Sequence, residues 1–225
     1  LQSYFITRAG KLLEKHGKKM IGWDEILEGG LAPGATVMSW RGIEGGIAAA
    51  KAGHDVVMTP GSHCYLDFYQ SDPESEPVAI GGQLSIETVY SYEPIPAELT
   101  PEQAKFILGA QGNLWTEYIP SPGKAEYMAW PRACALSEVV WSPKESRNWD
   151  DFRSRLLVHF TRLNALKVNY AKSFFDIKST YANERVTLTC PDPSLQIRFT
   201  TDGTEPTAQS RLYKEPFTLP QSVKI

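Results

Sequence analysis

The sequence predicts an α/β fold in which helices cover a parallel sheet, followed by a small β-sandwich. Short apolar strands without strict alternation are separated by helical segments across roughly the first 170 residues, which is typical of parallel strands. After Tyr170 the segments become shorter and are divided by turn sequences such as TDGTEPT, which is typical of antiparallel strands. We expect a boundary near residues 171–182, with domains over residues 1–172 and 180–225.

The first region contains four predicted strands. An amphipathic helix that carries Phe5 and Leu12 ends at Gly17, and the strands follow at 20–23, 35–40, 55–59 and 109–119. Helices are predicted at 46–52, after the capping sequence Thr100-Pro101-Glu102-Gln103, at 124–140 with a bend at Pro131, and at 150–166. In the second region the predicted strands are VTLTC, QIRFT and PFTLP.

Composition argues against several classes of function. The 225 residues carry a net charge of -3, which disfavours a nucleic-acid partner or an anionic membrane surface. No apolar run approaches the roughly 18 residues that a membrane helix needs. Cys64, Cys134 and Cys190 lack the spacing of zinc sites or disulfide frameworks and are interpreted as buried thiols. His54 and His63 are too isolated for a metal site, so we expect neither a metal nor a cofactor.

The segment GAQGNLWTEYI carries unusual residues for a strand that only fills a core. Side chains alternate between the two faces of a strand, so Gln111, Asn113, Trp115 and Glu117 are expected to share one face. A tryptophan and a carboxylate on the same face as two amides indicate a surface that binds something polar.

Similar residues occur at the ends of the other strands. Parallel strands bring their carboxyl ends to one face, where barrels and open α/β sheets bind ligands. Aromatic rings suit the C–H faces of a sugar, and carboxylates accept hydrogen bonds from its hydroxyls. The residues that meet at this face are Trp23, Trp40, Tyr65, Asp67, Trp115 and Glu117.

Each of these residues also has a purely structural explanation. Glu117 could pair with Arg41 or Arg132, and a tryptophan at a strand end is often part of the core. Asp24 and Glu25 are most simply a helix-capping pair or hydrogen-bond acceptors behind the site. Trp141 and Trp149 lie at helix edges and are interpreted as packing residues.

Four segments, in this order and spacing, resemble the second half of the catalytic barrel of family 20 glycoside hydrolases, the β-N-acetylhexosaminidases. They are IGWDEILEGG, VMSWRG, VVMTPGSHCYLDFYQ and GAQGNLWTEYI, and the resemblance covers essentially the whole chain. The tail IRFTTDGTEPT resembles the small β-sandwich domain of some bacterial members. The resemblance implies strands five to eight of a TIM (β/α)8 barrel followed by a truncated β-sandwich.

The resemblance also implies a role for each aromatic residue at the strand ends. Trp23, Trp40 and Trp115 match the tryptophans that line the pocket for the terminal sugar. Tyr65 matches the tyrosine that hydrogen-bonds the acetamido carbonyl and is assigned here as catalytic. The implied ligands are glycans that end in N-acetylglucosamine or N-acetylgalactosamine, and the bacterial members imply a periplasmic or secreted protein.

Only some of the family's acidic residues are matched in this sequence. Asp67 and Glu117 match the residues that hold the O4 and O6 hydroxyls. In the family the 2-acetamido oxygen attacks the anomeric carbon, and an Asp–Glu pair in a Gly-Asp-Glu type motif orients it and protonates the leaving oxygen. This sequence contains no such motif, and Asp24-Glu25 belongs to the following strand.

These observations lead us to expect a fragment that supplies the sugar-binding wall but is inactive alone. A half-barrel leaves strand edges unpaired, so we also expect it to form a homo-oligomer, as a dimer. One alternative is a non-catalytic carbohydrate-binding or scaffold module, which has less need of an oriented phenol at Tyr65. Another is a glycosidase with Glu117 as nucleophile, which needs a second carboxylate about 5–5.5 Å away; only Asp67 is available.

Overall fold

The computed structural model describes residues 1–190 and 195–219. The chain divides into two compact units, Leu1–Ala171 and Lys172–Ile225. The first unit begins with helix α1 (Gln2–Lys15) and contains four strands: β1 (Ile21–Trp23), β2 (Thr36–Ser39), β3 (Val56–Met58) and β4 (Ile107–Ala110).

The four strands form one sheet in the order β1-β2-β3-β4, and every neighbouring pair is parallel. Trp23 lies opposite Met38, and Ser39 lies opposite Met58. Val37 and Val56, at the centre of the sheet, are fully buried. The parallel sheet and the α/β class that the sequence predicted are therefore present, and all strands run toward one edge.

The helices predicted for the first unit occur in the predicted order, and two short helices, Gly61–Cys64 and Ile86–Tyr90, were not predicted. Thr100 and Gln103 form the predicted capping box, and Phe152 and Phe160 bury the apolar side of the last helix. Short 3-10 helices cover Asp24–Leu27 and Lys144–Ser146. The α-helices are α2 (Glu44–Lys51), α3 (Gly61–Cys64), α4 (Ile86–Tyr90), α5 (Pro101–Ala104), α6 (Pro122–Ala129), α7 (Arg132–Trp141) and α8 (Trp149–Ala165). None of the helices in the described part of the chain combines the length and the apolar character that a membrane crossing requires.

Two helix predictions need correction. The helix expected over 124–140 is two separate helices, α6 and α7, because Pro131 lacks the N–H that would continue the first. Trp149 packs as expected, with its ring 5.4 Å from that of Tyr90. Trp141 does not, because its side chain is 90% exposed within this chain.

The fourth strand is much shorter than predicted. It covers Ile107–Ala110 instead of 109–119, because its partner β3 ends at Met58 and the chain turns into α3 after Pro60. The ladder extends only to the N–H of Gln111, which donates to the carbonyl of Met58 at 3.0 Å. Residues 111–117 therefore keep the alternating sequence of a strand without a continuous strand to pair with.

The loop between β3 and α4 closes on itself next to the sheet edge. The N–H of Tyr69 donates to the carbonyl of Gly82 at 3.2 Å, and the N–H of Leu84 donates back to Tyr69 at 2.8 Å. Gly82 has φ +65°, and a Cβ there would lie 2.5 Å from the ring of Phe68. A side chain at this position would both strain the backbone and displace the ring.

Within its described residues, the second unit forms two small antiparallel sheets. One has the strand order β5-β6-β9, and the other pairs β7 with β8, while Ser173–Phe175 forms a 3-10 helix. Val186, Leu188 and Phe199 are buried together at its core. The strands are β5 (Lys178–Ala182), β6 (Arg185–Thr189), β7 (Arg198–Phe199), β8 (Arg211–Leu212) and β9 (Phe217–Thr218).

Three of these five strands were predicted. They correspond to VTLTC, QIRFT and PFTLP, although the last residue of PFTLP and the expected strand end at Ile225 lie outside the described residues. Strand β5 was missed because all five of its residues are exposed, so its sequence carries no apolar face.

Replacing Gly82 with alanine should destabilise the first unit more than the same change at Gly34. Both glycines have similar positive φ values, +65° and +70°, but nothing lies within 4 Å of a Cβ at Gly34. Gly34→Ala should therefore cost about 1–2 kcal/mol from backbone strain alone, and Gly82→Ala about 1–3 kcal/mol more because of Phe68.

Urea unfolding followed by tryptophan fluorescence measures this difference, because all six tryptophans lie in the first unit. Equal losses in the two variants would show that the Phe68 ring moves aside without cost.

Candidate functional site

A cavity of about 520 Å³ lies at the carboxyl ends of the parallel strands. Its volume is in the range typical of small-molecule sites. The structure brings all six sequence-predicted residues to it: Trp23, Trp40, Tyr65, Asp67, Trp115 and Glu117. Gln111 and Asn113, expected on the same face as the last two, are not among the residues that line it.

Aromatic rings form a connected wall around Tyr65. Its ring lies 6.4 Å from Trp40, nearly parallel at 27°, and 6.5 Å from Trp115 at 51°. Trp23 continues the wall, with its ring 5.5 Å from that of Trp115. The flat apolar faces of these rings point in different directions. A bound molecule with two apolar faces would therefore be contacted from more than one side.

Two neighbouring acids hold Trp40 at the exit of β2. The buried carboxylate of Asp24 accepts hydrogen bonds from the backbone N–H groups of Trp40 at 3.1 Å and Arg41 at 3.2 Å. It also pairs with Nε of Arg41 at 2.6 Å. The carboxylate of Glu25 accepts from the indole Nε1 of Trp40, 3.1 Å from both oxygens. The sequence-based interpretation of these acids as acceptors agrees with this geometry, but the position of Glu25 on the cavity wall was missed.

Tyr65 is held through its backbone by the segment after β4. Asn113 donates its N–H to the carbonyl of Cys64 at 2.7 Å and accepts at its own carbonyl from Leu66, also at 2.7 Å. Burial raises the pKa of the Tyr65 phenol, while the nearby Trp115 and Asn113 oppose part of that rise. The phenol is therefore a neutral O–H group that can donate a hydrogen bond.

Asp67 is the most unusual residue of the cavity. Its side chain is only 3% exposed, yet neither carboxylate oxygen makes a hydrogen bond of ordinary geometry with any described residue. Burial raises the pKa of its carboxyl and Glu117 adds to the rise, while the backbone N–H groups of Asp67 and Trp115 and the positive charge of Arg132 oppose it. A buried carboxylate is costly unless it is paired, so these two oxygens point to a ligand that donates hydrogen bonds.

Glu117 faces the cavity without an ion pair to any described residue. The two arginines considered as its partners are used elsewhere. Arg41 pairs with Asp24 and Glu28, and Arg132 donates to backbone carbonyls. Glu117 therefore has no arginine partner among the described residues, although a purely structural role would require one.

The loop after β3 supplies lining residues that sequence reasoning did not identify. They come from a stretch for which the sequence analysis predicted no strand or helix, and the Gly-Gly pair was the one available signal there. The additional lining residues are Phe68, Ile80, Gly81 and Gly82.

The described residues contain no cluster of three or more histidine, cysteine or acidic side chains placed to hold a metal ion. All three cysteines are free, but only Cys64 is fully buried, while Cys134 and Cys190 are partly exposed. His54 lies 2.8 Å from the carbonyl of Ala35, and His63 stacks on an aromatic ring. Both histidines thus have packing or hydrogen-bonding roles.

Comparison with known proteins identifies relatives of both units. The family model described as "Glycosyl hydrolase family 20, catalytic domain" matches residues 1–144, and "Chitobiase/beta-hexosaminidase C-terminal domain" matches residues 178–225. A beta-hexosaminidase of Porphyromonas gingivalis is 47% identical over 99% of this chain, which spans 30% of that protein. A beta-N-acetylhexosaminidase of Cellulomonas fimi is 34% identical over 67% of the chain and 31% of its own length. The chain thus spans about a third of the length of these relatives.

Solved structures agree with the sequence relatives. The family 20 exo-beta-N-acetylglucosaminidase of Vibrio harveyi, solved with N-acetylglucosamine, has a TM-score of 0.68 and 36% identity over 76% of this chain and 27% of its own. The Streptomyces coelicolor beta-N-acetylhexosaminidase has a TM-score of 0.68 and 26% identity over 76% and 36% of the two chains. Since the catalytic-domain model alone matches more than half of its residues, the chain belongs to glycosyl hydrolase family 20.

Proposed function

We propose that this chain forms the sugar-binding wall of a β-N-acetylhexosaminidase that removes terminal non-reducing N-acetylglucosamine or N-acetylgalactosamine. The observation that carries the proposal is the buried carboxylate of Asp67, which makes no hydrogen bond of ordinary geometry with the described residues and belongs to a cavity lined by three tryptophans and Tyr65. A sugar offers both hydroxyl donors for this carboxylate and apolar C–H faces for the rings. The relatives are named as beta-hexosaminidases, and we extend this activity to the gene product that contains this chain.

Recognition of the sugar is divided between rings and acids. Trp23, Trp40 and Trp115 cover its C–H faces, and Asp67 and Glu117 accept hydrogen bonds from the O4 and O6 hydroxyls. Bonds of this kind involve a charged acceptor and are about twice as strong as bonds between neutral groups. The acids therefore determine which hydroxyls the sugar must carry, and the aromatic side chains determine the orientation of the sugar.

Tyr65 acts on the reacting group itself. In a substrate-assisted retaining reaction, the 2-acetamido oxygen attacks the anomeric carbon and its amide becomes charged. A neutral phenol that donates to this acetamido oxygen holds it in the attacking position. The raised pKa of Tyr65 keeps the proton on the phenol through the neutral range.

The remaining chemistry needs groups that these 225 residues do not contain. The sequence has no Gly-Asp-Glu motif, so we propose that the orienting aspartate and the general acid lie in another part of the protein. Strands β1 to β4 then occupy positions five to eight of the (β/α)8 barrel. As the family resemblance implies, we also propose that the protein acts in the periplasm or outside the cell.

In the gene product that contains this chain, Tyr65→Phe should lower kcat more than it raises KM. The phenol holds the acetamido oxygen in the position from which it attacks the anomeric carbon, so its loss lowers the fraction of bound substrate that is ready to react. A misplaced reacting group can cost about 100-fold in rate, so kcat on an aryl N-acetylglucosaminide should fall on the order of 100-fold.

Tyr181→Phe, an exposed tyrosine of the second unit, is the matched control and should keep the parent kcat. An unchanged kcat in Tyr65→Phe would remove the assigned role. A parent protein that binds N-acetylglucosamine without turnover would instead favour the non-catalytic binding module.

Glu117→Gln should weaken recognition of the 4- and 6-hydroxyls. The substitution keeps the shape of the side chain but removes its charge, at a cost on the order of 1–2 kcal/mol in kcat/KM. The loss should shrink on 4-deoxy and 6-deoxy substrates, and Glu102→Gln on exposed helix α5 should have no effect. Equal losses on native and deoxy substrates would assign Glu117 a purely structural role.

The 225 residues expressed alone should form a dimer and lack hexosaminidase activity. Four βα units leave two strand edges unpaired, and two copies can pair them symmetrically. Light scattering at micromolar concentration and a fluorogenic N-acetylglucosaminide measure the two properties. A stable monomer would contradict the first expectation, and turnover by rigorously purified chain would contradict the second.

A further inference from the structure

One buried arginine connects the segments that surround the cavity. Arg132, at the start of α7, is 0% exposed. Its Nη2 donates to the carbonyls of Leu66 at 2.6 Å and Met128 at 2.7 Å. Its Nη1 donates to the carbonyls of Phe68 and Leu84, both at 3.0 Å. A single guanidinium thus holds three points on the loop after β3 and one on the helix before it.

Two of these points flank Asp67. Because the carbonyls of Leu66 and Phe68 are both bound by Arg132, the backbone on either side of Asp67 is fixed. The carboxylate of Asp67 has no hydrogen bond of ordinary geometry with the described residues. The direction of this side chain therefore depends on its backbone and packing, and Arg132 fixes that backbone together with the bond from the N–H of Leu66 to the carbonyl of Asn113.

The charge of Arg132 matters as well as its geometry. The groups that act on the Asp67 carboxyl are the backbone N–H groups of Asp67 and Trp115, the charge of Arg132 from α7 and the charge of Glu117 from the segment after β4, and Asp67 in turn raises the pKa of Tyr65. Burial lowers the pKa of Arg132 to about 9, so the guanidinium stays protonated at neutral pH. It is the cation that opposes the burial of the Asp67 carboxylate.

The bond to Leu84 extends this control to the opposite wall of the cavity. Leu84 donates its N–H to Tyr69, which in turn donates to Gly82, and Gly82 lines the cavity beside Phe68. A shift of the guanidinium would therefore move Asp67 and the glycine wall together.

We propose that Arg132 is a positioning residue for sugar recognition: it aims the carboxylate of Asp67 into the cavity and compensates its negative charge. The inference rests on the proposed function and adds to it a residue that does not touch the sugar. Lysine at this position supplies the charge but cannot reproduce the planar fork to four carbonyls, and methionine supplies neither.

Kinetics of the gene product that contains this chain provide the first test. Arg132→Lys should raise KM for an aryl N-acetylglucosaminide about tenfold, as expected for one weakened hydrogen bond to a charged group, with a smaller change in kcat. Arg132→Met should raise KM further and move the acidic limb of kcat/KM to higher pH, because Asp67 then ionises less readily. Arg155→Met, an exposed arginine of α8, should change neither value.

A double-mutant cycle separates positioning from general damage. If Arg132 acts through Asp67, then Arg132→Lys should raise KM much less in an Asp67→Asn background, and Arg132→Met should no longer move the acidic limb. Folded variants with the parent KM, or equal effects of Arg132→Lys in both backgrounds, would overturn the proposal.

Stability tests the coupling without any activity. Removing the charge of Arg132 raises the folded-state pKa of Asp67 further above its unfolded value, so the fold loses stability as pH rises through that window. Arg132→Met should therefore cost more stability at about pH 7.5 than at about pH 5, and Asp67→Asn should remove the difference. A loss that is independent of pH or of Asp67 would overturn the coupling, whereas a parent without turnover or sugar binding would overturn only the proposed function.

Discussion

Parallel pairing brings the carboxyl ends of β1 to β4 to one edge, and there each ladder stops. Backbone that leaves this edge has no further strand to pair with, so its N–H and C=O groups need other partners. At the exit of β2 the carboxylate of Asp24 accepts two backbone N–H groups. Beyond β3 and β4 a short bridge between Tyr65 and Asn113 serves the same purpose. The site residues therefore occupy positions where regular structure ends and side chains or short bridges replace it.

Buried charged side chains supply many of the hydrogen bonds that a strand ladder would otherwise make. Asp24 gathers the N–H groups at one strand end, and Arg132 gathers four carbonyls around the next. A charged group forms stronger hydrogen bonds than a neutral one, so a single side chain can fix an irregular segment that has no ladder of its own. The aromatic wall depends on these two residues, because Asp24 binds the backbone N–H of Trp40 and because Tyr65 directly precedes the segment held by Arg132.

The sequence predicted the sheet, the order of its elements and the six residues on the cavity because period and strand ends are local properties. It could not predict where β4 stops, since that depends on its partner β3 ending at Met58. Nor could it distinguish Arg132 from a surface arginine, because the carbonyls it binds belong to residues as far as 66 positions away. The exposure of Trp141 was missed for the opposite reason: helical spacing predicts a packing side without naming what covers it.

Burial alone does not distinguish a structural acid from one that binds a ligand. Asp24 and Asp67 are almost equally buried, at 2% and 3% exposure. Asp24 is fully occupied, with two backbone N–H groups and the Arg41 guanidinium as donors. At Asp67 the backbone N–H groups of Asp67 itself and of Trp115 and the charge of Arg132 oppose the effect of burial on the pKa, but neither carboxylate oxygen makes a hydrogen bond of ordinary geometry with a described residue. Asp24 thus has its donors within the protein, whereas Asp67, a buried acid in the cavity lining, still has the capacity to accept a hydrogen bond from a sugar hydroxyl.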